Sequence, residues 1–191
     1  MQSPEAPEAP EAPSITDITQ SHLASLWGVP KDRIRVFESA QKMPDGLTYV
    51  RVREKGGPDS EGEELRRTTG LVKEERFITG WADCAQAMLE AWNYGPERTV
   101  SATTFAVDLD QFHGRFSDSP VVVVPDTTGR FPLIAPPSEI EVDGLPGVTY
   151  WADTTPEHGD FMQEYSRITV TVGADYTPTL QSESYHDVAK R

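Results

Sequence analysis

Two histidines and one carboxylate near the C-terminus are the residues whose types and spacing are best suited to chemistry. They are His158, Asp160 and, further along the chain, His186. Two imidazoles and one carboxylate can occupy one face of Fe(II) and leave positions open for oxygen and a substrate. A fold that brings these three side chains together would therefore make the chain a small metal-dependent enzyme.

The His158-x-Asp160 pair followed by His186 is similar to the ligand pattern of the non-haem iron, oxoacid-dependent oxygenases. The resemblance spans about thirty residues and implies an iron centre on these three side chains. The sequence departs from that family because no arginine for the oxoacid lies on a following strand. A polar turn explains the same residues without a metal, since a Thr-Pro pair and Gly159 favour a turn there.

A second polar group follows a predicted strand. It consists of Asp108, Asp110, His113 and Asp118. Carboxylate oxygens of this kind suit Ca²⁺ or Mg²⁺, and paired carboxylates can also act as acid and base. The spacing differs from an EF-hand loop, which requires glycine at its sixth position and glutamate at its twelfth. We favour a solvated loop, with a metal site as the alternative.

Phosphate-binding signatures are missing from the sequence. It contains no GxGxxG, no GxxxxGK[ST] and no GxSxG motif. The single cysteine, Cys84, falls on the apolar side of a predicted helix, where a thiol packs as a small hydrophobic group. The sequence predicts no cofactor. It leaves open whether the chain is an enzyme, and a non-enzymatic role is favoured.

Arginines alternate with apolar residues in the first predicted hairpin. Those expected to share one sheet face are Arg33, Arg35, Arg51 and Arg53. Phe37 and Tyr49 add aromatic area beside them, and interleaved arginines and aromatics can hold RNA or single strands. The acidic segment 56–64 follows directly, so a solvated face with local salt bridges is the favoured interpretation.

The N-terminus carries the three-residue repeat PEAPEAPEAP, which closes on a further proline. Its prolines are Pro4, Pro7, Pro10 and Pro13. Proline at every third position favours polyproline II at about 3.1 Å per residue, so this arm could extend for roughly 30 Å. The arm is interpreted either as a solvated tail or as a segment that docks on a neighbouring subunit.

Two helices have boundaries that the sequence specifies. The apolar stripe of the longer helix is formed by Trp81, Cys84, Ala85, Met88, Leu89 and Trp92. This helix is expected at about 80–94, between caps at Thr79 and Gly95, and packed on the sheet. The shorter helix begins near Ser14 and stops at Gly28.

The other apolar segments indicate strands. A hairpin is expected from 33–39 and 47–54, and further strands are expected within 65–78, 100–109, 121–124, 131–135, 139–142, 148–151 and 165–172. Strands that follow one another without helices indicate an α+β fold with a mostly antiparallel sheet of about five to seven strands and two helices. The predicted organisation is an arm at 1–13, one α+β domain at 14–177 and an irregular tail at 178–191.

The formal net charge is −14. An acidic surface disfavours general nucleic-acid binding and anionic membranes. The leading hypothesis is a non-enzymatic structural, assembly or protein-interaction subunit of a larger bacterial or phage complex, docking through the N-terminal arm. Its expected partners are proteins, including copies of itself, in the cytoplasm or in a virion-like particle. The alternatives are the iron-type enzyme and an acidic inhibitor or immunity protein that binds a basic partner.

Overall fold

The computed structural model describes residues 12–39, 43–44, 46–56, 64–112, 134–153 and 164–186, with the backbone alone at 64, 65, 164 and 186. Several predicted features fall outside the described residues: the strand at 121–124, most of the strand at 131–135, His113, Asp118, His158 and Asp160. The described residues form three α-helices and eight β-strands.

The elements follow one another in two runs of strands separated by helices. They are α1 (Ile15–Trp27), a 3₁₀ turn (Lys31–Arg33), β1 (Ile34–Glu38), β2 (Leu47–Lys55), β3 (Glu64–Lys73), β4 (Arg76–Thr79), α2 (Trp81–Trp92), α3 (Ala102–Asp110), β5 (Ser138–Val142), β6 (Leu145–Asp153), β7 (Glu164–Val172) and β8 (Pro178–His186). Strands β1–β4 form an antiparallel sheet in sequence order, called sheet 1. Strands β5–β8 form a second antiparallel sheet in sequence order, called sheet 2.

The α+β class is therefore confirmed, but the predicted single sheet of five to seven strands with two helices is only partly correct. The described chain has two sheets of four strands and three helices. Helices α2 and α3 lie between the two runs of strands in the sequence and contribute side chains to the core that both sheets share. Each sheet buries an inner face on these helices instead of pairing with the other sheet.

Helix α1 begins and ends where its sequence predicts. The Ser14 hydroxyl accepts a hydrogen bond from the Asp17 backbone N–H, and Gly28 ends the helix with a φ of 69°. Leu23 is 1% exposed and packs with Val50 and Val52 on one face of sheet 1. Helix α1 therefore covers the outer face of that sheet.

Strands β3 and β4 form a hairpin where a single strand was expected, with Glu74 and Glu75 as a two-residue turn. The Phe77 ring lies over Gly70 of the neighbouring strand. A side chain at position 70 would place its Cβ 2.5 Å from Phe77 Cε2 and closer still to the Ile78 carbonyl oxygen. Only glycine fits there, and this contact fixes the position of β4 against β3.

One core is shared by both sheets. Its members come from β2 and β3 (Tyr49, Leu71), from α2 (Cys84, Ala85, Met88, Leu89), from α3 (Phe105, Leu109) and from β6 and β7 (Tyr150, Ile168). The predicted apolar stripe of α2 faces this core: Cys84, Ala85, Met88 and Leu89 are buried in it, and Trp81 and Trp92 are partly buried against it. Its caps differ by one or two residues from the prediction, since Gly80 precedes the helix and Asn93, with a φ of 51°, ends it.

Residues 100–109, predicted as a strand, form helix α3 instead. The Ser101 hydroxyl accepts a hydrogen bond from the Thr104 backbone N–H and so caps the helix. Phe105 and Leu109, four residues apart, are both fully buried on the helix side that meets the core. Burial with helical spacing therefore overrides the strand preference of the threonines and valine in this segment.

The segment after residue 177, predicted to be irregular, contains strand β8. It pairs with β7 along its whole length, from Val172 opposite Pro178 to Glu164 opposite His186. Most of its side chains are exposed, so the strand carries little apolar pattern. Its backbone hydrogen bonds to β7, rather than buried side chains, hold it in place.

Candidate functional site

Of the predicted metal ligands, the structure describes the side chains of Asp108 and Asp110 and the backbone alone of His186. Asp108 and Asp110 belong to α3, and His186 is the last residue of β8. Among the described side chains, no three His, Cys, Asp or Glu residues are close enough to hold a metal ion. The iron-type site as a whole stays a prediction, because His158 and Asp160 lie outside the described residues.

Asp110 is buried in the core rather than exposed at a loop. It is 3% exposed, and Tyr150 of sheet 2 is 1% exposed. Burial raises the pKa of the Tyr150 hydroxyl well above its usual value, and the negative charge of Asp110 acts in the same direction. Tyr150 is therefore protonated at neutral pH and unsuited to act as a general base.

Cys84 is also unsuited to nucleophilic chemistry. Its thiol is fully buried, and its Sγ lies 3.4 Å from the Ile78 carbonyl oxygen. Burial raises the pKa of Cys84 to about 12, so the thiolate does not form near neutral pH. The residue packs as part of the core, as its place on the apolar stripe predicted.

Three of the four predicted arginines share one face of sheet 1. Arg35 lies opposite Arg53, Arg53 lies opposite Arg67, and Arg51 is two residues before Arg53 on the same side of β2. We call Arg35, Arg51, Arg53 and Arg67 the arginine face. The Arg53 guanidinium carbon is 5.6 Å from the centroid of the Phe37 ring. Arg51, Arg53 and Arg67 also interact within the chain.

The prediction that Arg33 shares this face is wrong. Arg33 ends the 3₁₀ turn, and its Nη2 donates a hydrogen bond of 2.9 Å to Glu54 Oε1. Arg66 Nε is 3.3 Å from the other carboxylate oxygen without hydrogen-bond geometry, so it contributes charge rather than a bond. Glu54 is 2% exposed and points to the α1 side of the sheet. Arg33 therefore neutralises a buried carboxylate instead of forming a surface.

A groove runs along the outer edge of β4, and we call it the edge groove. Its volume is about 610 Å³. The floor is β4, one wall is the face of α2 formed by Asp83, Gln86, Ala87 and Glu90, and the other wall includes His22 of α1. The sequence placed polar residues on this side of α2 but did not show that they face an open strand.

A second cavity of about 470 Å³ lies at the end of sheet 2 next to the C-terminus of α2. It is lined by turns around Gly95, Gly144 and Gly173 and by the side chain of Tyr176. The Tyr176 hydroxyl donates a hydrogen bond of 2.7 Å to the Asn93 side chain. The titratable residues that line this cavity are Tyr94, Glu97, Arg98 and Tyr176.

Comparison with known protein families, with curated proteins and with solved structures gives no match. Among the helices that the structure describes, none is long and apolar enough to cross a membrane.

Proposed function

We propose that this chain is a non-enzymatic protein-interaction subunit of a larger complex, and that it docks through its N-terminal arm onto the arginine face of a second copy. The observation that supports this is the arginine face itself. It gathers four guanidinium groups on one side of sheet 1 in a chain whose net charge is −14. Like charges directly opposite in neighbouring strands destabilise a sheet, so carboxylates beside this row stabilise it. Arg51, Arg53 and Arg67 already interact within the chain, and the side chains of Arg35 and Arg67 are exposed to a further partner.

The spacing of charges in the arm matches the spacing of the arginines. Its acidic residues are Glu5, Glu8 and Glu11. In polyproline II, which has three residues per turn, every third side chain points the same way at intervals of about 9.3 Å. Arg35 and Arg67 lie on strands two apart, so their separation across the sheet is about 9.6 Å. Two glutamates of an extended arm can therefore meet the two outer arginines together.

The position of α1 favours docking on a second copy over docking on the same chain. Helix α1 follows the arm directly and covers the face of sheet 1 opposite to the arginine face. A proline-rich arm of this composition is semi-rigid over several residues, so a sharp return around the sheet edge is disfavoured. A neighbouring subunit presents its arginine face without requiring that bend.

The first experiment compares the full chain with a variant that lacks residues 1–11, using size-exclusion chromatography with light scattering. We expect the full chain to self-associate and the shortened chain to do so much less, with the same melting temperature. A labelled peptide of residues 1–13 should bind the shortened chain in fluorescence anisotropy. Raising the salt from about 0.05 M to about 0.5 M should weaken that binding by screening the charges.

Charge reversal makes the test specific to the arginine face. We expect the double variant Arg35→Glu and Arg67→Glu to bind the peptide at least about tenfold more weakly. Arg98→Glu, the same change at an exposed arginine elsewhere, is the matched control and should bind normally. A peptide with arginine at positions 5, 8 and 11 should prefer the double variant. Equal weakening by Arg98→Glu, or unchanged association of the shortened chain, would contradict the proposal.

A further inference from the structure

Strand β4 lies at one edge of sheet 1. Among the described strands it pairs with β3 alone. An edge strand presents alternate backbone N–H and C=O groups outward, where a further strand can pair with them. The four residues of β4 extend for about 13 Å. The floor of the edge groove is therefore a short row of hydrogen-bonding groups with a fixed spacing.

Two helices turn this open edge into a groove. The residues of α2 on one wall recur at i, i+3, i+4 and i+7, so they form one continuous helix face: Asp83, Gln86, Ala87 and Glu90. On the other wall the His22 ring meets the Phe77 ring edge-on, with 5.5 Å between the ring centroids. A volume of about 610 Å³ lies within the range of small-ligand and peptide sites. The recess suits a single extended segment better than the broad edge of another folded sheet.

The charges along the groove are unevenly compensated. At one end, Lys73 Nζ is 2.9 Å from Glu90 Oε2, and this pair carries no net charge. Arg76 and Glu74 also line the groove, and their formal charges sum to zero. Asp83 lines the other end in the first turn of α2 and forms no salt bridge with a described residue. The charged residues described along the groove therefore sum to a formal charge of −1, in a chain that is already strongly acidic.

We infer that the edge groove binds an extended segment of a partner protein as a fifth strand of sheet 1, with a lysine or arginine of that segment beside Asp83. Backbone hydrogen bonds to β4 supply the affinity, and the side chains that point to the walls supply the selectivity. A small apolar side chain fits the wall at Ala87. The N-terminal arm is excluded as this segment, because proline at every third position lacks the N–H groups that the ladder requires.

The probe for this inference is the end-capped, labelled hexapeptide Thr-Val-Lys-Val-Thr-Val, titrated against the full chain. Fluorescence anisotropy measures the affinity, and NMR identifies the amide signals that shift. We expect shifts in β4 and along α2, and slower hydrogen exchange of the outward-facing β4 amides. A peptide with glutamate in place of lysine, and one with alternate backbone nitrogens methylated, should each bind at least about fivefold more weakly.

Charge variants of the protein test whether the lysine of the peptide lies beside Asp83. Asp83→Lys is expected to weaken binding of the lysine peptide about tenfold and to strengthen binding of the glutamate peptide. Asp32→Lys makes the same change at an exposed residue of the 3₁₀ turn, outside the groove, and should leave both affinities unchanged. Thermal melting of both variants verifies that they are folded, so a loss of binding can be assigned to the charge.

Three results would overturn the inference. Equal binding of the methylated peptide would show that no strand ladder forms. Amide shifts confined to other surfaces would place the peptide elsewhere. Dimerisation through β4 without peptide binding would assign the edge to a second copy of the chain. The arm docking proposed above is tested with a different peptide on a different surface, so failure of one proposal is distinguishable from failure of the other.

Discussion

Sheets 1 and 2 share one topology, four antiparallel strands in sequence order, and carry opposite charges. The strands of sheet 1 contain eight basic and three acidic residues, a formal charge of +5. Those of sheet 2 contain one basic and five acidic residues, a formal charge of −4. Both sheets bury an inner face in the same core, so the difference lies in what the rest of each sheet presents.

The two sheets therefore differ in the surfaces that they present. One face of sheet 1 is covered by α1. The opposite face packs in the shared core at Tyr49 and Leu71 and carries the arginine face beside that core, and the edge groove runs along β4. Sheet 2 presents threonines on its outer face next to a small aromatic cluster, in which Trp151 and Tyr185 have ring centroids 5.1 Å apart. We therefore expect interactions to depend on sheet 1 and expect sheet 2 to serve mainly as the second wall of the core.

The strongest test of the shared core is Phe105→Ala. Phe105 is fully buried and packs against Trp92 and Tyr94. The cavity should lower the free energy of unfolding by about 3–5 kcal/mol. Since both sheets bury their inner faces in this core, urea unfolding followed by tryptophan fluorescence and by circular dichroism should give one coincident transition.

The matched control for that change is Phe37→Ala, at a ring that is 40% exposed on sheet 1. It should cost less than about 1 kcal/mol. Two separated transitions in the Phe105 variant, one for each sheet, would show that the sheets fold independently and would contradict a single shared core.

A smaller loss of stability is expected from Glu54→Ala in sheet 1. Removing this buried carboxylate leaves Arg33 and Arg66 facing each other without a counter-charge. We expect a loss of about 2–3 kcal/mol in denaturant unfolding, below the value for fully buried pairs because both arginines keep contact with water. In sheet 2 the exposed Arg167–Glu183 pair, with 2.7 Å between its charged atoms, provides the contrast. Glu183→Ala should cause no measurable change, and equal losses at the two sites would contradict the assignment.

The smallest expected effect is on the pH dependence of stability, through the buried thiol of Cys84. The pKa of Cys84 is raised from its usual 9.0 to about 12 in the folded chain. Its contribution to stability is therefore fully present below pH 9 and is lost as the pH rises toward 12, because only the unfolded thiol ionises in that window. At pH 10 this should amount to about 1 kcal/mol relative to Cys84→Ala, after subtraction of the difference at pH 8. Parallel pH profiles for the two proteins would show that the thiol is more accessible than the structure indicates.

Local signals predicted the ends of α1, the stripe of α2 and most strand segments, but not the division of the strands between two sheets. The boundaries of α1 follow from Ser14 and Gly28. The apolar stripe of α2 has helical spacing, which can be recognised without knowing what packs against it. Helix α3 was missed because Phe105 and Leu109 fit alternate spacing as well as helical spacing, and only burial in the shared core decides between them. Strand β8 was missed because its stability comes from pairing with a strand already in place.

The interaction surfaces were predictable only in part. Alternation along β1 and β2 correctly grouped Arg35, Arg51 and Arg53, since period-two spacing is a local property. Arg67 could not be added to them without the register between β2 and β3, and Arg33 was misplaced because the chain turns before the strand begins. The edge groove depends on two helices distant in sequence that flank one strand, and single-sequence patterns hold no information on that arrangement.

Gly70 limits which substitutions the edge groove can tolerate. Its lack of a side chain lets Phe77 lie across β3, and this contact holds the strand that forms the floor of the edge groove. A saturation-mutagenesis screen should therefore find position 70 nearly invariant, although it bears no charge and touches no proposed partner. Homologous proteins that keep the edge groove should therefore keep glycine at this position as strictly as they keep the charged residues that contact a partner.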